Sequence, residues 1–180
     1  MIPIQNIYYM LSYAVQILNE QGYKNIATEQ FNNTAELMAA ILEKGIAIQL
    51  KRGLGKEYIP QTEALSSLRG KIDIAESIKT QSMLRKQLIC TYDEFSVNSI
   101  MNRIIKSTVE LLLRSNISKQ RKKNLRKLML YFSEVDFIDL YTINWNVQYN
   151  RNNQTYRMLI SICYLVVKGL LQTQSDGSTK

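Results

Sequence analysis

The sequence predicts an α+β fold that is mainly helical, with a small antiparallel sheet in the middle of the chain. Apolar residues recur at helical spacing in the first forty residues and again after residue 96. Between Gly45 and Ile78, glycines separate short apolar runs, which is typical of turns and strands. The 180 residues suffice for one domain, or for one domain with a small appendage.

Two helices are predicted before the sheet. The first covers about Asn6 to Asn19, because apolar residues share one face of that segment. The second begins after Thr34 as its N-cap, with Glu36 in the first turn, where a negative charge favours a helix start. Their inward-facing residues are Ile7, Tyr8, Leu11, Ala14, Val15, Leu18, Met38, Ile41 and Leu42.

Three short apolar runs predict strands. They are Ile46–Leu50, Lys71–Ile74 and Leu88–Tyr92. Gly53 and Gly55 are predicted to serve a hairpin turn between strands.

The second half of the chain predicts three more helices. The first begins near Ser96, and Ser118 caps a shorter, very basic one. The run Phe137–Ile143 is ambiguous between strand and helix, whereas Gln148–Thr155 is predicted to be an exposed polar loop because Asn and Gln favour turns. The last helix ends near Gln172, so a domain is predicted over residues 1–172 and a tail over 173–180. Its apolar stripe contains Tyr156, Leu159, Ile160, Cys163, Val167 and Leu170.

The residue types exclude several classes of protein. The chain has no histidine, which removes the commonest general base and imidazole-based metal sites. Cys90 and Cys163 lie among apolar neighbours, which predicts buried thiols in a reducing compartment rather than a disulfide or a zinc site. Residues 1–19 lack the pattern of a secretory signal, and the longest apolar run, Met158–Val167, is too short to cross a bilayer. We therefore expect a cytoplasmic protein with no membrane partner.

Two searches of the sequence concern nuclease and nucleotide chemistry. None of the fifteen Asp and Glu residues is followed by Lys at the second position, so the acid-x-Lys step of the commonest restriction nucleases is absent. The segment Arg52–Lys56 has two glycines, but it lacks the spacing and the Ser or Thr of a phosphate-binding loop. We therefore expect no catalytic residue, no metal ligand and no bound GTP or ATP in this chain.

The positive charge is concentrated in one segment. Between Arg103 and Lys127 there are nine basic residues and one acid, Glu110, and this net charge of +8 equals that of the whole chain. The basic helix has two interpretations: a solvated face, or a contact with an anionic partner such as DNA or an acidic protein surface. No aromatic residue is interleaved among these cations, so a nucleic-acid contact would involve the backbone and be nonspecific. The candidate contact residues are Lys119, Arg121, Lys122, Lys123, Arg126 and Lys127.

The order of several motifs resembles that of McrC proteins, the second subunit of the McrBC modification-dependent restriction systems. The resemblance extends over nearly the whole chain and corresponds to the N-terminal part of that family. The motifs that carry it are Ile2–Ala14, Lys51–Leu54, Tyr58–Pro60 with Thr62-Glu63, Leu68–Asp73, Asn102–Thr108 and Ile160–Cys163.

The resemblance implies a function for this region. In the family, McrB forms a hexameric AAA+ GTPase ring, and the N-terminal part of McrC docks into that ring and stimulates GTP hydrolysis. A protruding finger loop carries a basic residue into the ring pore, and alignment through Ile160–Cys163 places Arg151 at that position. On sequence alone, a single Arg in an Asn-rich turn is usually solvated surface. The resemblance makes Arg151 the candidate activating residue, with Asn150, Asn152 and Asn153 shaping the finger.

We therefore expect a non-catalytic part of a methylcytosine-dependent restriction system that stimulates the GTPase of a McrB-like ring. The resemblance implies a C-terminal nuclease domain of the PD-D/ExK type, which is absent from these 180 residues. GTP and Mg²⁺ are expected to belong to the partner ring, Mg²⁺ also to the nuclease, and DNA to be reached through the complex. No small-molecule substrate is expected. The alternative is a nonspecific DNA-binding module that holds duplex DNA beneath the McrB-like ring, which would act as the motor.

Overall fold

The computed structural model describes residues 3–24, 26 and 30–176, with side chains described as far as residue 169. It confirms the predicted class, because the described residues form mainly helices and one sheet, which is small and antiparallel. The elements are α1 (Ile4–Glu20), α2 (Thr34–Arg52), β1 (Glu57–Leu65), β2 (Lys71–Ile72), α3 (Ile74–Lys79), β3 (Leu88–Ser96), α4 (Ile100–Leu113), α5 (Lys119–Met129) and α6 (Gln154–Asp176).

The chain divides into two compact units within the predicted domain. Residues 1–54 and 100–180 form a helical unit, and Gly55–Ser99 forms a second unit that contains the sheet. The predicted domain boundary at Gln172 falls inside α6, which continues to Asp176. The rest of the predicted tail, residues 177–180, lies outside the described residues.

Helix α6 lies at the centre of the helical unit, where it contacts α1, α2 and α4. The predicted stripe from Tyr156 to Val167 is buried, while the side chain of Leu170 lies outside the described part of the chain. The Tyr156 hydroxyl donates a hydrogen bond of 2.7 Å to Asn102 Oδ1, and both side chains are buried. This bond satisfies polar groups that would otherwise be costly to remove from water.

The prediction of a strand at Ile46–Leu50 is wrong, because α2 continues without interruption to Arg52. Ile46 and Ile48 are buried in this helix, so tertiary packing outweighs the strand preference of β-branched residues. The predicted hairpin turn at Gly53 and Gly55 is also wrong. Gly53 ends α2 with a φ of 91°, a conformation that favours glycine.

The start of α2 also differs from the prediction in its cap. The side chain of Asn33, not Thr34, accepts the hydrogen bond from the backbone N–H of Glu36, at 2.8 Å. Thr34 is the first helical residue. Both residue types are good caps, so composition alone could not choose between neighbours.

Gly45 allows α2 and α6 to approach closely. A Cβ at Gly45 would lie 2.5 Å from Met158 Cε and 2.7 Å from Leu159 Cδ2, whereas a Cβ at Gly169 of α6 would meet no atom within 4 Å. We expect Gly45→Ala to lower the free energy of unfolding by about 1–3 kcal/mol through overpacking. Gly169→Ala should raise it by about 0.5–1 kcal/mol, because alanine has the better helix propensity. Urea unfolding of both variants checks this, and equal effects would contradict the packing explanation.

The sheet has the strand order β1-β3-β2, with β3 central and antiparallel to both neighbours. The predicted strand Leu88–Tyr92 is confirmed and continues to Ser96, so the predicted helix start near Ser96 is wrong and α4 begins at Ile100. Of the predicted strand Lys71–Ile74, only Lys71 and Ile72 are paired, because the Asp73 carboxylate caps α3 by accepting from Glu76 N.

The ambiguous run Phe137–Ile143 is neither helix nor strand. Its backbone is held by a side chain of α4, since the Ile138 N–H donates to Ser107 Oγ at 2.9 Å, and Leu140 is buried. Cys90 and Cys163 are both free and buried, which confirms their interpretation as buried thiols. Burial raises the pKa of the Cys163 thiol to about 12, so it stays protonated at physiological pH.

Candidate functional site

Arg151 lies in a hydrogen-bonded turn that immediately precedes α6. The Asn150 side chain accepts from the backbone N–H of Asn152 at 3.0 Å, and the Asn150 carbonyl accepts from the N–H of Asn153 at 3.1 Å. The Asn153 carbonyl then accepts from Arg157 N in the first turn of α6. The structure therefore brings the four predicted finger residues into one ordered turn, which we call the Arg151 turn (residues 150–153).

The segment before the Arg151 turn is anchored on α6 by aromatic side chains. Trp145 meets Tyr164 edge to face, with ring centroids 5.4 Å apart. Tyr149 is partly buried, and this burial, with a smaller contribution from Cys163, raises its pKa to about 12. The phenol is thus neutral at physiological pH and contributes an uncharged contact next to the turn.

Arg151 itself is exposed, and no acidic side chain of the described residues forms an ion pair with it. A cleft of about 510 Å³ lies beside it, and two arginines but no acid line this cleft. A cationic cleft without an internal counter-ion suits a carboxylate or a phosphate from another molecule. Its lining residues are Tyr13, Tyr149, Asn150, Arg151, Asn153, Gln154 and Arg157.

The basic helix is α5, and Ser118 caps it as predicted by accepting from Arg121 N at 3.2 Å. Its opposite side is anchored by Leu125, which is fully buried. Five of the six predicted contact residues are spaced by three or four positions along one outer face, with four exposed and Lys122 partly exposed. No acidic side chain of the described residues forms an ion pair with any of them. This α5 stripe consists of Lys119, Lys122, Lys123, Arg126 and Lys127.

Arg121, the sixth predicted contact residue, points inward instead. Its guanidinium binds two carboxylates of α2: Nε lies 3.2 Å from Glu36 Oε1, and Nη1 bonds Glu43 Oε2. The Arg121 and Glu43 side chains are each 18% exposed, and that of Glu36 is 12% exposed. Arg121 is therefore an internal ion-pair residue, and the sequence prediction that groups it with the other five needs this correction.

Glu36 accepts several further hydrogen bonds. Burial raises the pKa of its carboxyl, but bonds from the Ser118 N–H, the Arg121 guanidinium and the Ser118 hydroxyl outweigh burial and hold the pKa below its ordinary value. The Arg121 pKa is raised, since the two carboxylates outweigh the opposing effect of its own burial. The network holds the N-terminus of α5 against α2, which fixes the direction in which the α5 stripe faces.

The other basic residues of the charged segment also have partners within the helical unit. The α5 stripe is thus what remains of that segment after internal pairing. The pairs are Arg103 with Asp136 (3.9 Å), Arg114 with Glu110 (3.2 Å), and Lys106 Nζ with the carbonyls of Phe132 (3.0 Å) and Val135 (2.5 Å).

The two candidate surfaces are distinct, because no residue of α5 lines the cleft beside the Arg151 turn. The cleft also contains Tyr13 and Arg157, which were not predicted because they lie far apart in the sequence and share no local pattern. Within the described ranges, no group of three or more Cys, Asp and Glu side chains is placed to hold a metal ion. None of the described helices is both long and apolar enough to cross a membrane.

Comparison with known proteins identifies the family to which this chain belongs. The chain belongs to the McrBC 5-methylcytosine restriction system component family, whose model matches residues 4–180. The resemblance predicted from the motifs is therefore confirmed.

Particular relatives are known as well. The chain is 28% identical over 178 residues to the type IV methyl-directed restriction enzyme EcoKMcrBC of Escherichia coli K12, covering 98% of this chain and 51% of that protein. It thus spans about half the length of this relative. Its fold is similar to a chain in the cryo-EM structure of the Thermococcus gammatolerans McrBC complex, with a TM-score of 0.63 and 22% identity over 91% of this chain and 50% of the other. A second structure, of McrB AAA+ hexamers with bound McrC from the same organism, gives a TM-score of 0.60 at 22% identity, covering 92% and 36% of the respective chains.

Proposed function

We propose that this chain docks on a McrB-like AAA+ GTPase ring and stimulates its GTP hydrolysis, with Arg151 as the activating residue. The observation that carries the proposal is the exposed Arg151 guanidinium in a hydrogen-bonded turn, beside a cleft that no acid lines. The matched structures, which are complexes of McrB hexamers with McrC, supply the class of partner.

The chemistry of GTP hydrolysis explains the need for an arginine. Negative charge spreads over the oxygens of the transferred phosphoryl group, and a positioned cation stabilises that charge or orients the group that does. Arginine presents a planar set of donors that matches phosphate and carboxylate geometry. Order in the turn matters because a preformed donor loses less conformational entropy at the transition state.

In this proposal the chain contributes no active site of its own. GTP and Mg²⁺ belong to the ring, and a nuclease segment outside these 180 residues cuts the DNA. Docking is tested by size-exclusion chromatography of the purified chain with the cognate ring and a non-hydrolysable GTP analogue. We expect the two to elute as one complex, and separate elution of a folded chain and an assembled ring contradicts the proposal.

The Asn150 side chain is expected to tune activation through the turn. Asn150→Ala removes the acceptor of the 3.0 Å bond from Asn152 N, a loss of about 0.5–1.5 kcal/mol. We expect this hydrogen bond to matter when Arg151 acts on the transition state of GTP hydrolysis. Its loss should then lower stimulated GTP turnover by about 2- to 10-fold. Asn152→Ala is the matched control, since Asn152 contributes its backbone N–H to the turn. Steady-state turnover with both variants at saturation checks this, and equal rates for the two contradict the role of the Asn150 side chain.

A further inference from the structure

We propose that the α5 stripe binds the phosphate backbone of duplex DNA. This inference goes beyond ring docking and does not depend on it, because the α5 stripe and the cleft beside the Arg151 turn share no residue. The chain would then have two separate contacts, one with the ring and one with duplex DNA.

The fold pairs some of the basic residues internally and leaves the others on one surface. Four of the nine basic residues between Arg103 and Lys127 are paired with carboxylates or carbonyls of the helical unit. The remaining five all lie on α5, at positions 119, 122, 123, 126 and 127, so they share one outer face. Five like charges on one helix face repel one another, and an anionic ligand relieves that repulsion.

The length and the fixed direction of the α5 stripe suit a duplex. Lys119 and Lys127 are eight residues apart, which is about 12 Å along a helix and about the width of a DNA major groove. The buried Leu125 and the Arg121 ion pairs hold the opposite side of α5 against the helical unit. The cations are therefore presented on a fixed helix, as backbone recognition requires.

The composition of the α5 stripe favours DNA over an acidic protein partner. Protein interfaces have an apolar or aromatic centre and are depleted in lysine. The α5 stripe is four lysines and one arginine, with no apolar side chain among them. The exposed Leu130 and Tyr131 follow after its last cation. Single-stranded nucleic acids stack their bases on several aromatic rings in a row, and Tyr131 provides one ring. The favoured ligand is therefore duplex DNA rather than a single strand.

Fluorescence anisotropy with a labelled 30-base-pair duplex tests the proposal. Each contacted phosphate adds about 0.9 to the slope of log affinity against log salt. Three to five contacts predict a loss of about 40- to 500-fold between 50 and 200 mM NaCl. The variant K119Q/K122Q/K123Q/R126Q/K127Q should lose most of the affinity and most of the slope, while Arg151→Ala should match the wild type.

A charge-matched control separates the stripe from net charge. The variant K24Q/K51Q/K71Q/K79Q/R85Q removes five cations from exposed positions elsewhere and should keep the wild-type slope. Equal losses in the two variants overturn the proposal, as does a wild-type chain that fails to bind duplex at 50 mM salt but binds polyglutamate. Tighter binding to a 30-nucleotide single strand also overturns it. Circular dichroism melts confirm that each variant is folded, and single Lys→Gln variants replace the fivefold one if it is not.

Discussion

Replacing Arg151 by alanine is expected to return GTP turnover of the ring toward its basal rate while leaving docking intact. A directly inserted arginine contributes about 10³- to 10⁵-fold to GTPase rates, and indirect positioning contributes less. Docking should persist because the Arg151 turn is held by the Asn150 side chain and by backbone bonds, none of which involves the Arg151 side chain. The measurement is steady-state phosphate release at saturating chain, with binding followed separately by chromatography.

Two further variants distinguish the guanidinium from general effects on the loop. Arg151→Lys keeps the charge but loses the planar donor set, so an intermediate rate is expected. Asn152→Ala changes the exposed neighbour of Arg151, whose side chain does not line the cleft, and it should leave stimulation unchanged. If Arg151→Ala stimulates as well as the wild type, the activating chemistry lies elsewhere in the chain.

Replacing Arg121 by alanine is expected to lower the free energy of unfolding by about 3 kcal/mol. The change leaves Glu36 and Glu43 as two mostly buried carboxylates without their shared cation, and breaking a buried pair on one side typically costs about 3–5 kcal/mol. Arg114→Ala is the control, because it breaks an exposed pair with Glu110 four residues earlier, and exposed pairs are worth about 0.2–1 kcal/mol. Urea unfolding at pH 7 measures both, and comparable losses would falsify the assignment of Arg121 to a structural network.

The same network predicts a dependence of stability on pH. The pKa of Glu36 is lower in the folded chain than its ordinary value in an unfolded chain. The ionised carboxylate therefore stabilises the folded state fully when the pH is above that ordinary pKa. This contribution is lost as the pH falls through the pKa of the folded state. Part of the lowering comes from Arg121, so the difference in stability between wild type and Arg121→Ala should narrow as the pH falls from 6 to 3. A constant difference over that range would show that the ionised Glu36 carboxylate is not the partner that matters.

The sequence was informative where local spacing decides the structure. Helices α1 and α4 to α6 follow from apolar residues at intervals of three and four, and Ser118 identifies the start of α5. The predicted strand at Ile46–Leu50 is wrong because Gly45, just before it, was expected to form a turn. Gly45 instead permits a close contact with α6, more than a hundred residues away along the chain. Long-range packing of this kind leaves no local pattern.

The two candidate surfaces were also predicted where local sequence decides the structure and missed where long-range packing does. Charge counting located the basic segment, but it could not separate Arg121 from its neighbours, because Glu36 and Glu43 lie about eighty residues earlier in the chain. The Arg151 turn was predicted from the density of asparagines, and the Asn150 side chain does form the turn. The aromatic anchors Trp145 and Tyr149 were not predicted, since their contacts depend on the position of α6.

The most direct test of the proposed function is a titration of the wild-type chain into the cognate ring, with GTP turnover measured at each concentration. We expect turnover to rise and saturate at the concentration at which chromatography shows the ring to be fully occupied. A folded chain that occupies the ring and leaves turnover at the basal rate contradicts the central claim, because docking would then occur without activation by Arg151.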